Sequence, residues 1–152
     1  MTVSGQTKMR REAGEAPQRA AEQIRLNAAL MREIGARLRD TAPPFAATLA
    51  RGSSDQAAAY AKFALEAHAG VPVLSQSPSI GALYHATSSR FRHVPLIAIS
   101  QSGRSPDLLA ATEDAQRQGA IVVAIVNDAG SPLAALADMV IPVWAGTETS
   151  VA

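Results

Sequence analysis

From residue 45 onward, short apolar runs alternate with longer stretches whose apolar residues recur every three or four positions. The runs Phe45–Ala50, Val71–Leu74, Val94–Ile99, Ala120–Val126 and Met139–Val143 predict five strands. Between them, Asp55–Ala69, Ser77–Ala86, Ser105 to Gln118 and Pro132–Ala137 predict helices. In the first of these, Tyr60, Phe63, Ala64 and Ala67 are expected on the inner face. Ser105-Pro106-Asp107 has the form of a helix start, with Ser as N-cap, Pro at the first helical position and an acid in the first turn. Apolar strands joined by helical crossovers predict an α/β domain, a three-layer doubly wound fold with a five-stranded parallel sheet.

A leading helix precedes this unit. Its pattern begins at Glu15, takes Pro17 into the first turn and sets Ala20, Ile24, Met31, Ile34 and Leu38 near one face. Asp40 to Pro44 ends it, because two consecutive prolines cannot continue a helix. Residues 1–14 are polar and expected to be mobile. The chain thus divides into 1–14, the helix 15–44 and a domain from 45 to 152, with no internal repeat.

Composition narrows the function. Hydrophobic residues make up 47% of the 152 but aromatics only 4%, so the core must be built from Ala, Leu, Ile and Val. A net charge of +1 gives no field for nucleic acid, and the N-terminal arginines interleave with glutamates as a solvated helix face. The absence of cysteine excludes disulfides, a Cys nucleophile and thiolate metal sites, and it suits a cytoplasmic protein. No apolar run approaches the roughly 20 residues that span a bilayer, and the first residues lack the apolar stretch of a signal peptide. His68, His85 and His93 match no metal spacing and read as structural or surface residues. Neither G-x-x-x-x-G-K-[ST], nor G-x-G-x-x-G after the first strand, nor G-x-S-x-G occurs, so nucleotide, dinucleotide and nucleophile-elbow sites are unsupported. Trp144 reads as a core or interface residue.

Candidate chemistry follows from the strand map, because open parallel sheets bind ligands beyond the carboxyl ends of their strands. Gly52-Ser53-Ser54 follows the first strand, Ser100-Gln101-Ser102-Gly103-Arg104-Ser105 the third, and Gly146-Thr147-Glu148-Thr149-Ser150 the fifth. Hydroxyls, exposed backbone N–H groups and a helix N-terminus together make a neutral cradle for an anion such as phosphate. Any one such segment reads first as turn and cap chemistry, Ser105 in particular; three at three strand ends point to a ligand.

These loops, with Ser105-Pro106-Asp107 and Ser150-Val151-Ala152, resemble the three signature loops of SIS (sugar isomerase) domains, most closely the amino-sugar branch. That branch holds the isomerase half of glutamine–fructose-6-phosphate aminotransferase and two-lobe glucosamine-6-phosphate deaminases. The resemblance covers Glu15 to Ala152. It implies that Ser53, Ser54, Ser100, Gln101, Ser102 and Ser105 bind the phosphate and adjacent sugar hydroxyls of a hexose 6-phosphate, and that Val151 offers backbone to the sugar. The implied parent reaction moves a proton between C1 and C2 of glucosamine 6-phosphate or fructose 6-phosphate, without metal or organic cofactor. Its Glu base, His and Lys come from a second lobe or a neighbouring subunit in such proteins, and this chain ends within the third loop. No catalytic residue is therefore expected here, Glu148 being a loop-orienting group, and the lobe alone is expected to bind without turnover. Lobes would pair, within a chain or between chains, through the leading helix and the helices beside the sheet, and an unpaired lobe is expected to cover its apolar surface as a homodimer. A sugar-phosphate sensor is the non-enzymatic alternative, although the single helix before Phe45 is too little for a DNA-binding module.

Overall fold

The computed structural model describes residues 7–84 and 91–147. All five expected strands form, as β1 (Ala46–Leu49), β2 (Val73–Gln76), β3 (Pro95–Ser100), β4 (Ile121–Val126) and β5 (Met139–Pro142). The helices are α1 (Lys8–Thr41), α2 (Ser53–Ala69), α3 (Pro78–Tyr84), α4 (Pro106–Arg117) and α5 (Pro132–Leu136). Every strand pair is parallel and the order is β2-β1-β3-β4-β5, so the α/β doubly wound reading holds. The chain runs outward from β1 to β2, then returns to place β3 on the other side of β1. Two right-handed crossovers in opposite directions put their helices on opposite faces.

Strand alternation then sorts the core. Leu96, Ala98, Ala124 and Val126 meet Leu108, Ala111 and Ala115 of α4 and Leu133 of α5 on one face. On the other, Ile34 of α1 packs on Val123 and Ile141, while Ala58 of α2 packs near Ala50 and Ile99. Leu96, Leu108 and Leu133 are wholly buried, each contributing roughly 1.5–3 kcal/mol. β2 sits at an edge and buries only Val73, which explains its displacement from the expected Val71–Leu74. Val71 is still engaged in closing α2, donating its N–H to the Leu65 carbonyl.

Three expectations are corrected. α1 starts at Lys8 instead of Glu15, and Pro17 lies inside it. The start is hidden in the sequence because Lys8, Arg10 and Arg11 oppose the helix dipole; the Thr7 hydroxyl offsets this by accepting from the Arg10 N–H at 3.3 Å. Pro17 is tolerated because the turn that loses its hydrogen bond is exposed. On the same helix the sheet-facing residues are Asn27, Leu30, Ile34 and Leu38, whereas Ile24 is 73% exposed and Met31 is exposed. In α2, Tyr60 and Phe63 are 73% and 65% exposed, not inward. The small residue Ala58 takes the contact face, because only a side chain without reach lets the helix lie close on Ala50. The expected third helix is seen as far as Tyr84; Ala86 lies outside the described residues.

Candidate functional site

Strand order locates the site. β1 and β3 are neighbours whose chains leave in opposite directions, so the crevice at their carboxyl ends is the topological switch point. The β1–α2 turn (Gly52-Ser53-Ser54) and the β3–α4 turn (Ser100 to Ser105) both open there. An ion pair spans the two, Arg51 donating to the Asp107 carboxylate at 2.8 Å. Gly52 adopts φ +58° at the N-cap of α2, so its two following serines enter the helix with their N–H groups at its positive end.

The β3–α4 turn is built from within. The buried Ser100 hydroxyl accepts from the Gly103 N–H at 3.1 Å, closing a tight loop around Gln101 and Ser102. Gly103 has φ +63°, and a Cβ there would fall 2.6 Å from the Cβ of Ser131. Its carbonyl receives the Leu133 N–H at 3.1 Å, which docks the turn onto α5. Gln101 and Ser102 are left exposed at the apex, and Ser102 accepts only a long 3.4 Å bond from the Arg104 N–H. Ser105 occupies the N-cap position of α4, but its side chain makes no capping bond. Its hydroxyl is not spent on the helix.

Beside this turn lies a cleft of about 840 Å³ walled by Gln101, Ser102, Arg104, Asn127, Trp144 and Gly146, with Arg19 and Glu22 of α1 above. Among the described residues, Gln101 and Ser102 belong to both the turn and the cleft wall, whereas Gly52, Ser53, Ser54, Ser100 and Ser105 do not line the cleft. The first two loops thus meet at the switch point, and the cleft extends from the second toward β5. Of the third loop, Gly146 and Thr147 line the cleft, while Glu148 to Ala152, including Val151, lie outside the described residues.

Several cleft residues were not singled out as site residues by the sequence. Arg104 reaches over to Asp128 at 2.8 Å, and that hydrogen bond, with a second from the Gly130 N–H, holds the Asp128 carboxyl below its usual range. Asn127 bonds the β5 exit, accepting from the Ala145 N–H at 2.9 Å and donating to the Gly146 carbonyl at 2.6 Å. Its place after β4 was the available signal, by the strand-end rule that found the serines. Nothing in the sequence marked Arg19 or Asn27 of the leading helix. Trp144 is 46% exposed and lines the cleft, and its indole N–H donates to Asn27 at 3.0 Å. Among the described residues no group of three His, Asp or Glu side chains is arranged for a metal ion, and no helix is long and apolar enough to cross a membrane.

The strand order and the Ser-bearing, Gly-bent turn at its switch point place the chain among doubly wound α/β ligand-binding domains. The chain belongs to the SIS domain family, whose model matches residues 46–152, so the resemblance carried by the Ser-rich loops is borne out. A glutamine–fructose-6-phosphate aminotransferase (isomerizing) of Symbiobacterium thermophilum is 36% identical over 112 residues, covering 70% of this chain and 17% of that protein. A solved Silicibacter pomeroyi DSS-3 protein described as a phosphosugar isomerase superposes with a TM-score of 0.88 at 41% identity, over 94% of this chain and 43% of that one. The C-terminal domain of the Francisella tularensis glucosamine-fructose-6-phosphate aminotransferase has a TM-score of 0.82 at 23% identity, over 95% and 42% of the two chains, and shows the same fold. The chain thus spans less than half the length of each relative.

Proposed function

We propose that this lobe binds the phosphate of an aminohexose 6-phosphate at the switch point, as one part of an amino-sugar phosphate isomerase or deaminase. The observation that carries this reading is the β3–α4 turn. Ser100 is consumed in shaping it, and the hydroxyls of Ser102 and Ser105 and the amide of Gln101 are left at the positive end of α4. Such an arrangement suits an anion held by many short hydrogen bonds instead of by paired cations. Gly52, Ser53 and Ser54 would complete the phosphate and hydroxyl contacts, and Val151 would meet the sugar. Glucosamine 6-phosphate and fructose 6-phosphate fit the proposal, and the aminotransferase and phosphosugar isomerase relatives support the chemistry.

The carbonyl and proton chemistry of the whole protein would be done by side chains supplied from outside this lobe, with no metal and no organic cofactor. A second reading, the isomerase part of a glutamine–fructose-6-phosphate aminotransferase, is favoured by the matching curated relatives. Both use the same lobe and differ in whether nitrogen is removed or supplied. A cytoplasmic location, suited to a cysteine-free chain, and no role for nucleic acid or membrane complete the proposal.

Calorimetric titration with glucosamine 6-phosphate, fructose 6-phosphate and unphosphorylated glucosamine tests it. Only the phosphorylated sugars should bind. Ser102→Ala should weaken them roughly ten- to a hundredfold, as expected for losing one hydrogen bond to a charged group at about 1.5–3 kcal/mol. Equal binding of glucosamine, or no effect of the substitution, would reject the phosphate cradle. We also propose a homodimer, in which a second copy covers the exposed Tyr60 and Phe63 of α2. Light scattering should then report twice the 15.8 kDa chain mass; a single-chain mass would remove this part.

A further inference from the structure

The segment from Pro142 to Thr147 carries the chain from β5 into the third loop, and two asparagines hold it from opposite sides. Asn27, 4% exposed on the leading helix, donates its amide to the Pro142 carbonyl at 2.7 Å and accepts the Trp144 indole N–H at 3.0 Å. Asn127, at the end of β4, accepts from the Ala145 N–H and donates to the Gly146 carbonyl. β5 ends at Pro142, and past the Val143 N–H, which still donates to the Val126 carbonyl at 2.9 Å, these side-chain contacts hold the segment in place of a ladder.

Two further facts give the double clamp a purpose beyond tidying a loop. Trp144 has φ +61°, a left-handed conformation that a bulky side chain adopts only when its surroundings enforce it. Asn127 is itself tied to the phosphate turn, its N–H donating to the Gln101 carbonyl at 3.1 Å. The chain of contacts therefore runs from Gln101 through Asn127 to Gly146. It joins the two walls of the cleft, Gln101 and Ser102 on one side and Gly146 and Thr147 on the other.

We infer that Asn127 is a positioning residue that sets the sugar-facing wall of the cleft at a fixed distance from the phosphate turn, with Asn27 anchoring that wall to the leading helix. This rests on the reading that Gln101 and Ser102 face a sugar phosphate. The turn from Ser100 to Gly103 closes on itself through the Ser100 hydroxyl, so it keeps its shape without the Asn127 side chain. Losing that side chain frees only the opposite wall. The leading helix is thereby part of the ligand site.

The test uses the whole chain and two probes, glucosamine 6-phosphate and inorganic phosphate, with the sole tryptophan, Trp144, as the fluorescence reporter. Asn127→Ala should weaken glucosamine 6-phosphate at least tenfold and inorganic phosphate less than twofold. Both affinities unchanged, or both falling in proportion, would overturn the assignment. Amide hydrogen exchange decides independently of any ligand. Ala145 should exchange at least tenfold faster in the variant and Gly103 at its original rate; an unchanged Ala145 rate would dispose of the clamp. Should the wild-type chain bind neither probe, the phosphate reading falls, and the exchange rates still judge the clamp. Asn127→Asp, of the same shape and still an acceptor for the Ala145 N–H but without the donor to Gly146, carries the two affinity measurements if the alanine variant does not fold.

Discussion

Gly103→Ala is expected to abolish sugar-phosphate binding and to lower stability by about 2–5 kcal/mol, the sum of two independent costs. Forcing an L-residue into the left-handed region costs roughly 1–2 kcal/mol, and overpacking a filled site adds about 1–3 kcal/mol. The new Cβ would lie 2.6 Å from the Cβ of Ser131. Ser131 is fully buried and caps α5 by accepting from the Ala134 N–H, so it cannot step aside without loosening that helix. The turn would yield instead, carrying Gln101 and Ser102 away from the α4 N-terminus. For a chain of this length the melting temperature should fall by roughly 4–20 °C. A melting curve within a degree or two of wild type would show that the turn is not packed as described.

Ile34→Ala is the second large expectation, and it acts through the leading helix. Ile34 is 5% exposed and sits between Val123 and Ile141, with Leu30 and Leu38 of the same helix on its flanks. Truncating a buried Ile costs about 2–5 kcal/mol. The lower half of that range applies here, because Leu30, Leu38 and Ile97 around it are only partly covered and can close in. The melting temperature should fall by roughly 4–14 °C. The helix also holds Asn27, so loosening it should make Trp144 more accessible to a neutral quencher. Loss of stability with Trp144 quenching unchanged would mean that the helix and the third loop are not coupled.

The parts of the fold that were legible are those where burial on both faces leaves one reading. Pro95–Ser100 and Ile121–Val126 are central strands, apolar on both sides, and the pattern placed them within one residue. β2, at the edge, buries a single residue, and its placement slipped by two because Val71 looks like a strand residue but serves the end of α2. The α2 face misled for a related reason. A helix with apolar residues all round has no stripe to read, and Ala58 won the inner face by size over Tyr60 and Phe63.

The serine loops were legible because strand ends and turn chemistry are local. The cleft that extends from them was not. Arg19 lines it, and Asn27 holds its Trp144, from a helix more than a hundred residues before Trp144 and Gly146, and only the packing of α1 against β5 brings them together.

By itself, then, the sequence determined the layers, the parallel sheet, the family and the Ser-bearing turns, since periodicity, Gly and Pro placement and strand-end chemistry are properties of a few consecutive residues. The tertiary structure alone decided which side chains face inward, that Ser100 shapes the turn while Ser105 leaves its hydroxyl unspent, and that the leading helix roofs the cleft. Those outcomes depend on which surfaces meet. That is settled by competition between helices of similar composition for one sheet, and no local pattern records it.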